Sequence, residues 1–311
     1  MKRFVAILVI LGLLMSGSMA VHAEEIDGQA AAQEMEMMDG AQPAVSIVLQ
    51  PEASGEREVK CDSAVVDYSH TEDGYIMVRY TAETSKRLKV LLKGPTTTYN
   101  YNLPAGEWTV FPLSDGNGQY QAGVYRNVEG NKYATVMTAT FSASMEDEFA
   151  PFLRPNQYVN YQNSPRMLEV TEEICAGLNE PLGKVEAVYN YVVSNLSYDQ
   201  EKAATVKSGY LPVLDEILEL KKGICFDYAA LMAAMLRSQN VPCKLVVGYA
   251  GEIYHAWISV WTEENGWVDG VIFFDGQQWK RMDPTFASSQ SGSEEIMDYI
   301  ENGNYTVKYL Y

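Results

Sequence analysis

Apolar residues along this chain follow two different periods, and the change falls near residue 150. Between Val45 and Met145 they come in short alternating or β-branched runs: Tyr75–Tyr80, Leu88–Leu92, Gly106–Phe111, Tyr120–Tyr125 and Tyr133–Ser142. Turn signals separate these runs at Asp73-Gly74, Gly94-Pro95, Asp115-Gly116-Asn117-Gly118 and Glu129-Gly130-Asn131-Lys132. Short strands at this spacing predict an all-β sandwich of immunoglobulin-like type over residues 45–148. The proline-bracketed stretch Phe149–Pro155 breaks the pattern and reads as a linker into a second domain, 149–311.

Beyond it the period becomes helical. Ser164-Pro165 offers a cap with proline at the first helical position. A second helix is expected over Pro181–Asn195, with Val185, Val188, Tyr189 and Val192 on one stripe. A third is expected over Pro212–Lys222, closed by Gly223 in a left-handed conformation. The next helix begins at Cys225 and is apolar on nearly every face to Leu236, the pattern of a helix buried at a domain centre. After Asn240-Val241-Pro242 the period returns to that of strands: Cys243–Tyr249, Ala256–Trp261, Trp267–Phe274 and Gln278–Met282, with Tyr305–Tyr311 as a candidate edge strand. An antiparallel sheet packed on the central helix gives α+β architecture.

Composition narrows the compartment and the partners. The formal charge of −18 argues against nucleic acid and anionic membranes, both of which would repel the chain. Lys2 and Arg3, the apolar run Phe4–Met15 and the small residues up to Ala23 predict a secretory signal peptide over residues 1–23. An acidic, methionine-rich flexible leader is expected over 24–44. No second apolar stretch reaches membrane-spanning length, so the mature chain is expected to be exported without a transmembrane segment, secreted or associated with the cell envelope. The four cysteines, Cys61, Cys175, Cys225 and Cys243, are too few and too scattered for a disulfide framework, although a Cys61–Cys175 bridge is conceivable. Signal cleavage leaves His70 and His255 as the remaining histidines, which excludes a histidine-rich zinc site; no metal or other cofactor is expected.

That scarcity sharpens the candidate chemistry. A thiol at a helix start is placed where the helix N-terminus favours thiolate. Nucleophilic catalysis by a thiol also needs an imidazole to exchange protons and a carboxylate to hold that imidazole in one tautomer. Cys225 opens the buried helix, His255 precedes the strand Ala256–Trp261, and Asp283 ends a strand in Met282-Asp283-Pro284-Thr285. His70 stands in a polar loop and reads as a surface residue.

Three motifs in this order resemble the catalytic segment of the transglutaminase-like superfamily, a branch of papain-like thiol enzymes. They are Gly223-Ile224-Cys225-Phe226-Asp227-Tyr228-Ala229, Tyr254-His255-Ala256-Trp257 and Met282-Asp283-Pro284-Thr285-Phe286. The segment Tyr191–Tyr198 is similar to the one the family places before its nucleophile. The resemblance implies Cys225 as nucleophile, His255 as general acid and base, and Asp283 as the group orienting His255. It implies an oxyanion hole made by the Cys225 backbone N–H and one side-chain donor, for which Tyr198 is the candidate. Trp257 is expected to pack beside His255 and shield it from water. An inserted hairpin around Glu263–Gly276 departs from the compact family pattern and carries two further carboxylates, Asp269 and Asp275, both read as turn residues.

The implied activity is acyl transfer on peptide or glutamine-type amides of a protein or peptide substrate, through a thioester. Hydrolysis is slightly favoured over transamidation, because no amine-delivering module is recognisable. The alternatives are a protein-cross-linking transglutaminase and a non-catalytic envelope scaffold that retains the triad.

Overall fold

The computed structural model describes residues 43–264, 266–269, 272–274, 279–281 and 305–311. The expected signal peptide, most of the leader, Asp275 and Asp283 lie outside these residues.

Eight strands come first: β1 (Glu58–Cys61), β2 (Ala64–Asp67), β3 (Tyr75–Tyr80), β4 (Leu88–Lys93), β5 (Thr98–Leu103), β6 (Thr109–Pro112), β7 (Gly118–Glu129) and β8 (Lys132–Ala143). They form two four-stranded antiparallel sheets, ordered β1-β2-β3-β6 and β5-β4-β7-β8. Alternate residues turn inward, as in Leu88, Val90 and Leu92 of β4, so both sheets contribute to one buried core. The β5 strand was not expected from the sequence, because its inward residues Tyr99 and Tyr101 alternate with asparagines and read as polar.

The helices follow: α1 (Pro165–Ile174), α2 (Pro181–Asn195), α3 (Gln200–Thr205), α4 (Leu214–Leu220) and α5 (Cys225–Ser238). Two short strands, β9 (Ser197–Tyr198) and β10 (Lys222–Gly223), lie between them and pair in parallel, Tyr198 beside Gly223. The second helix has the expected bounds, and the third is shorter than expected. It ends at Leu220 because Lys221 takes the left-handed conformation, φ 52° and ψ 35°. The role assigned to Gly223 is therefore corrected: it pairs as a strand, and its missing side chain makes room for Asp227, whose Cβ would lie 2.7 Å from a Cβ at position 223.

From Asp227 to Ser238 every residue of α5 is buried. The helix packs on a sheet of β11 (Cys243–Ala250), β12 (Ile253–Thr262), β13 (Gly266–Asp269) and β16 (Tyr305–Leu310), ordered β13-β12-β11-β16. The expected run Trp267–Phe274 is divided between β13 and β14 (Ile272–Phe274), and β14 pairs with β15 (Trp279–Arg281) as a separate hairpin. The tyrosine-rich segment forms the edge strand, antiparallel to β11.

Residues Pro43–Tyr311 make one compact unit. Arg237, 1% exposed near the end of α5, donates to three backbone carbonyls: Cys243 (2.9 Å), Arg154 (2.7 Å) and Tyr311 (2.6 Å). Each comes from a different segment, so one guanidinium ties α5 to the start of β11, to the linker and to the residue that follows β16. Tyr101 of β5 packs edge-on against Tyr311, with ring centroids 5.8 Å apart, and stacks on Tyr158. Such aromatic contacts contribute about 0.5–1.5 kcal/mol each beyond their buried area. Arg154 donates to the Asp73 backbone at 3.0 Å and to its carboxylate at 2.8 Å.

Candidate active site

Three segments converge on a cleft of about 530 Å³ at the start of α5. Ile224 is extended (φ −96°, ψ 173°), and the helix begins immediately after it, so Cys225 is the first helical residue. Its N–H is one of the helix-start amides that no carbonyl of the same helix can satisfy. Cys225 is partly exposed and lines the cleft, whereas Cys175 and Cys243 are buried and Cys61 is exposed far along the β-sandwich. All four thiols are free, so the conceivable Cys61–Cys175 bridge is absent. Burial pushes the Cys175 thiol up to about 11 and the Cys243 thiol up to about 12.

His255 comes from the other side of the cleft, on β12, and is 4% exposed. Every residue from His255 to Val260 is buried, which anchors the strand that carries the imidazole. Trp257 stacks on His255 at 6.2 Å with 23° between the rings and meets Tyr305 edge-on at 5.1 Å. It stands behind the imidazole and is not part of the cleft wall. Tyr198 lines the cleft, brought beside Gly223 by the β9–β10 pair. The structure thus brings Cys225, His255 and Tyr198 to one cavity; Asp283 lies outside the described residues.

Further lining residues escape a reading of the sequence. Tyr158, Lys207, Tyr210, Tyr254 and Tyr311 also face the cavity. Tyr254 was visible only as a member of the Tyr-His-Ala-Trp motif, and its phenol is raised by partial burial and then by Tyr309, Tyr249 and Cys225. Burial pushes Tyr158 up to about 12. No periodic signal marks Tyr210 or Tyr311, which reach the cleft through contacts distant in sequence. Among the described residues no group of three metal-ligating side chains occurs, and no helix is long and apolar enough to cross a membrane.

A thiol at a helix start and a buried strand-borne imidazole thus line one cleft. Residues 168–270 match the family model of the transglutaminase-like superfamily. The matched span holds both Cys225 and His255. Among curated relatives, protein YebA of Bacillus subtilis, itself uncharacterised, is 32% identical over 104 residues, 27% of this chain and 14% of that protein. A protein-glutamine gamma-glutamyltransferase of Pseudomonas aeruginosa is 27% identical over 130 residues, 36% of this chain and 19% of the relative. The matches therefore span less than a fifth of either relative. Among solved structures, a proposed cysteine protease from Cytophaga hutchinsonii aligns over 87% of this chain and 84% of its own, with 15% identity and a TM-score of 0.36.

Proposed function

We propose that this chain is an exported thiol enzyme that acts on peptide or glutamine-type amides through a thioester at Cys225. The observation that carries the reading is the shared cleft: Cys225 on the first turn of α5 and His255 on β12 line one cavity. The Cys225 thiolate attacks the amide carbonyl, and its oxyanion is held by the Cys225 N–H and the Tyr198 hydroxyl. The C–N bond breaks as His255 delivers a proton to the leaving amine. Water then attacks the thioester as His255 takes one of its protons. The C–S bond breaks to return the Cys225 thiolate, and the acid product gives its remaining proton to solvent as it leaves as carboxylate. Asp283 orients His255, and Trp257 keeps water from the outer face of the imidazole.

Hydrolysis is the preferred outcome, with protein or peptide substrates met outside the cytoplasm or at the cell envelope, and the β-sandwich taken as immunoglobulin-like. Transamidation is the second reading, favoured by the name of the Pseudomonas relative, a protein-glutamine gamma-glutamyltransferase. Incubating glutamine-containing peptides with and without a primary amine separates these by mass. Amine addition marks transamidation, the small gain of deamidation or peptide fragments mark hydrolysis, and each must vanish in Cys225→Ala. Intact peptides in every arm would leave the scaffold role as the better account.

A further inference from the structure

Asp227, the third residue of α5, is fully buried, yet it is charged and close to the nucleophile in sequence. Its carboxylate accepts three hydrogen bonds: from the Ile224 N–H at 2.9 Å, the Lys202 ammonium at 2.7 Å and the Tyr210 hydroxyl at 2.6 Å. Lys202 also lies 2.6 Å from the Tyr210 oxygen and 4.3 Å over its ring. The bond at Ile224 fixes the turn that sets Cys225. The other two bonds reach α3 and the loop after it, whose residues Val206, Lys207, Ser208, Gly209 and Tyr210 line the cleft.

The same segment is held at two further points. Asp199 caps α3 by accepting the Lys202 N–H at 2.9 Å, and its own N–H donates to the Gly223 carbonyl at 2.9 Å. On the far side Gly209 (φ +90°) lies so close to Asn102 of β5 that a Cβ there would collide with the Asn102 amide. The cleft wall is thus pinned between the β-sandwich and the first turn of the nucleophile helix.

We propose that Asp227 is a positioning residue, which clasps the 206–210 wall to the turn bearing Cys225 through Lys202 and Tyr210 and whose charge Lys202 balances beside the thiol. The proposal rests on Cys225 being the nucleophile, although its first readout needs no turnover. The titratable groups that line the cleft with Cys225 are Tyr198 on β9, Lys207 and Tyr210 on the loop, Tyr254 and His255 on β12, and Tyr158 and Tyr311. Asp227, two residues beyond Cys225 on α5, pairs with Lys202 of α3 and adds these two charges to the set. Within that set Asp227 and Lys202 form an ion pair of fixed geometry, so removing either partner changes the local charge by one.

The test uses the full chain with Lys202→Met, Asp227→Asn and Tyr210→Phe. Iodoacetamide labelling of Cys225 is followed by mass spectrometry across pH, and KM and kcat are measured on a glutamine peptide. Lys202→Met is expected to raise the labelling midpoint, and Asp227→Asn to lower it, each by about half a pH unit or more. Tyr210→Phe keeps the ring and is expected to leave the midpoint in place while raising KM about fivefold, with kcat within about twofold. Lys202→Arg restores the wild-type midpoint. Shifts of one sign in both charge variants, or no shift in Lys202→Met, overturn the proposal; should Asp227→Asn fail to fold, Lys202→Met decides alone. A wild type that labels normally but turns over no peptide overturns the enzymatic reading only, and the midpoints still decide the clasp.

Discussion

The four cysteines sit in separate environments, which makes the thiols a direct probe of the site. Cys175 and Cys243 are fully buried, Cys61 is exposed and Cys225 opens onto the cleft. Iodoacetamide at about pH 8 is expected to label Cys225 and Cys61 in the folded protein and to reach the buried pair only in denaturant. Intact mass counts the labels, and an unlabelled Cys225 would contradict the assignment. His255→Ala should slow turnover by roughly 10²–10⁴-fold, the usual contribution of a general acid–base group. Gly223→Ala should destabilise by about 1–3 kcal/mol in urea titration, because the new Cβ meets Asp227 at 2.7 Å and the buried carboxylate cannot give way. At this scale the sequence discloses residues that travel in short motifs, as Cys225, His255 and Tyr198 do. It conceals Tyr210 and Tyr311, whose roles exist only once segments remote in sequence have met.

Elements were legible where their apolar stripe was strong. The α2 helix carries Val185, Val188, Tyr189 and Val192 inward and has the expected bounds. The α3 helix buries none of its six residues, so no stripe announces it, and its cap and tertiary bonds alone explain its place. The end of α4 shows a subtler conflict. Glycine is the residue that enters the left-handed region at least cost, so Gly223 looked like the terminator. The strand pairing and the space under Asp227 claim that glycine instead, and Lys221 bears the left-handed strain. Lys221→Gly should accordingly stabilise the protein by about 0.5–1 kcal/mol, seen as a higher urea midpoint with an unchanged slope. A lower midpoint would mean that Lys221 is held by contacts that outweigh its backbone cost.

For the molecule as a whole, several acidic groups keep their protons far above their ordinary values. Burial raises Cys175 from 9.0 to about 11, Cys243 from 9.0 to about 12 and Tyr158 from 10.0 to about 12. Tyr99 and Tyr101, at the seam between β-sandwich and α+β layer, are pushed up for the same reason. Folded pKa values raised above the unfolded ones mean that the unfolded chain loses protons first as pH rises. The stability these groups contribute is therefore fully present below about pH 9 and is lost from there to about pH 12. Urea midpoints measured from neutral pH upward should be level and then decline, and a midpoint that rises above pH 9 would refute this.

The edge strand β16 has a further consequence, and it concerns time. Tyr311 lines the same cleft as Cys225, and its carbonyl is held by Arg237 of α5. A nascent chain that has emerged only through β12 already holds the cysteine and the histidine, but it lacks the strand that borders β11 and the ring that walls the cavity. A chain at that stage carries the thiol and the imidazole before the walls of their shared cleft are complete.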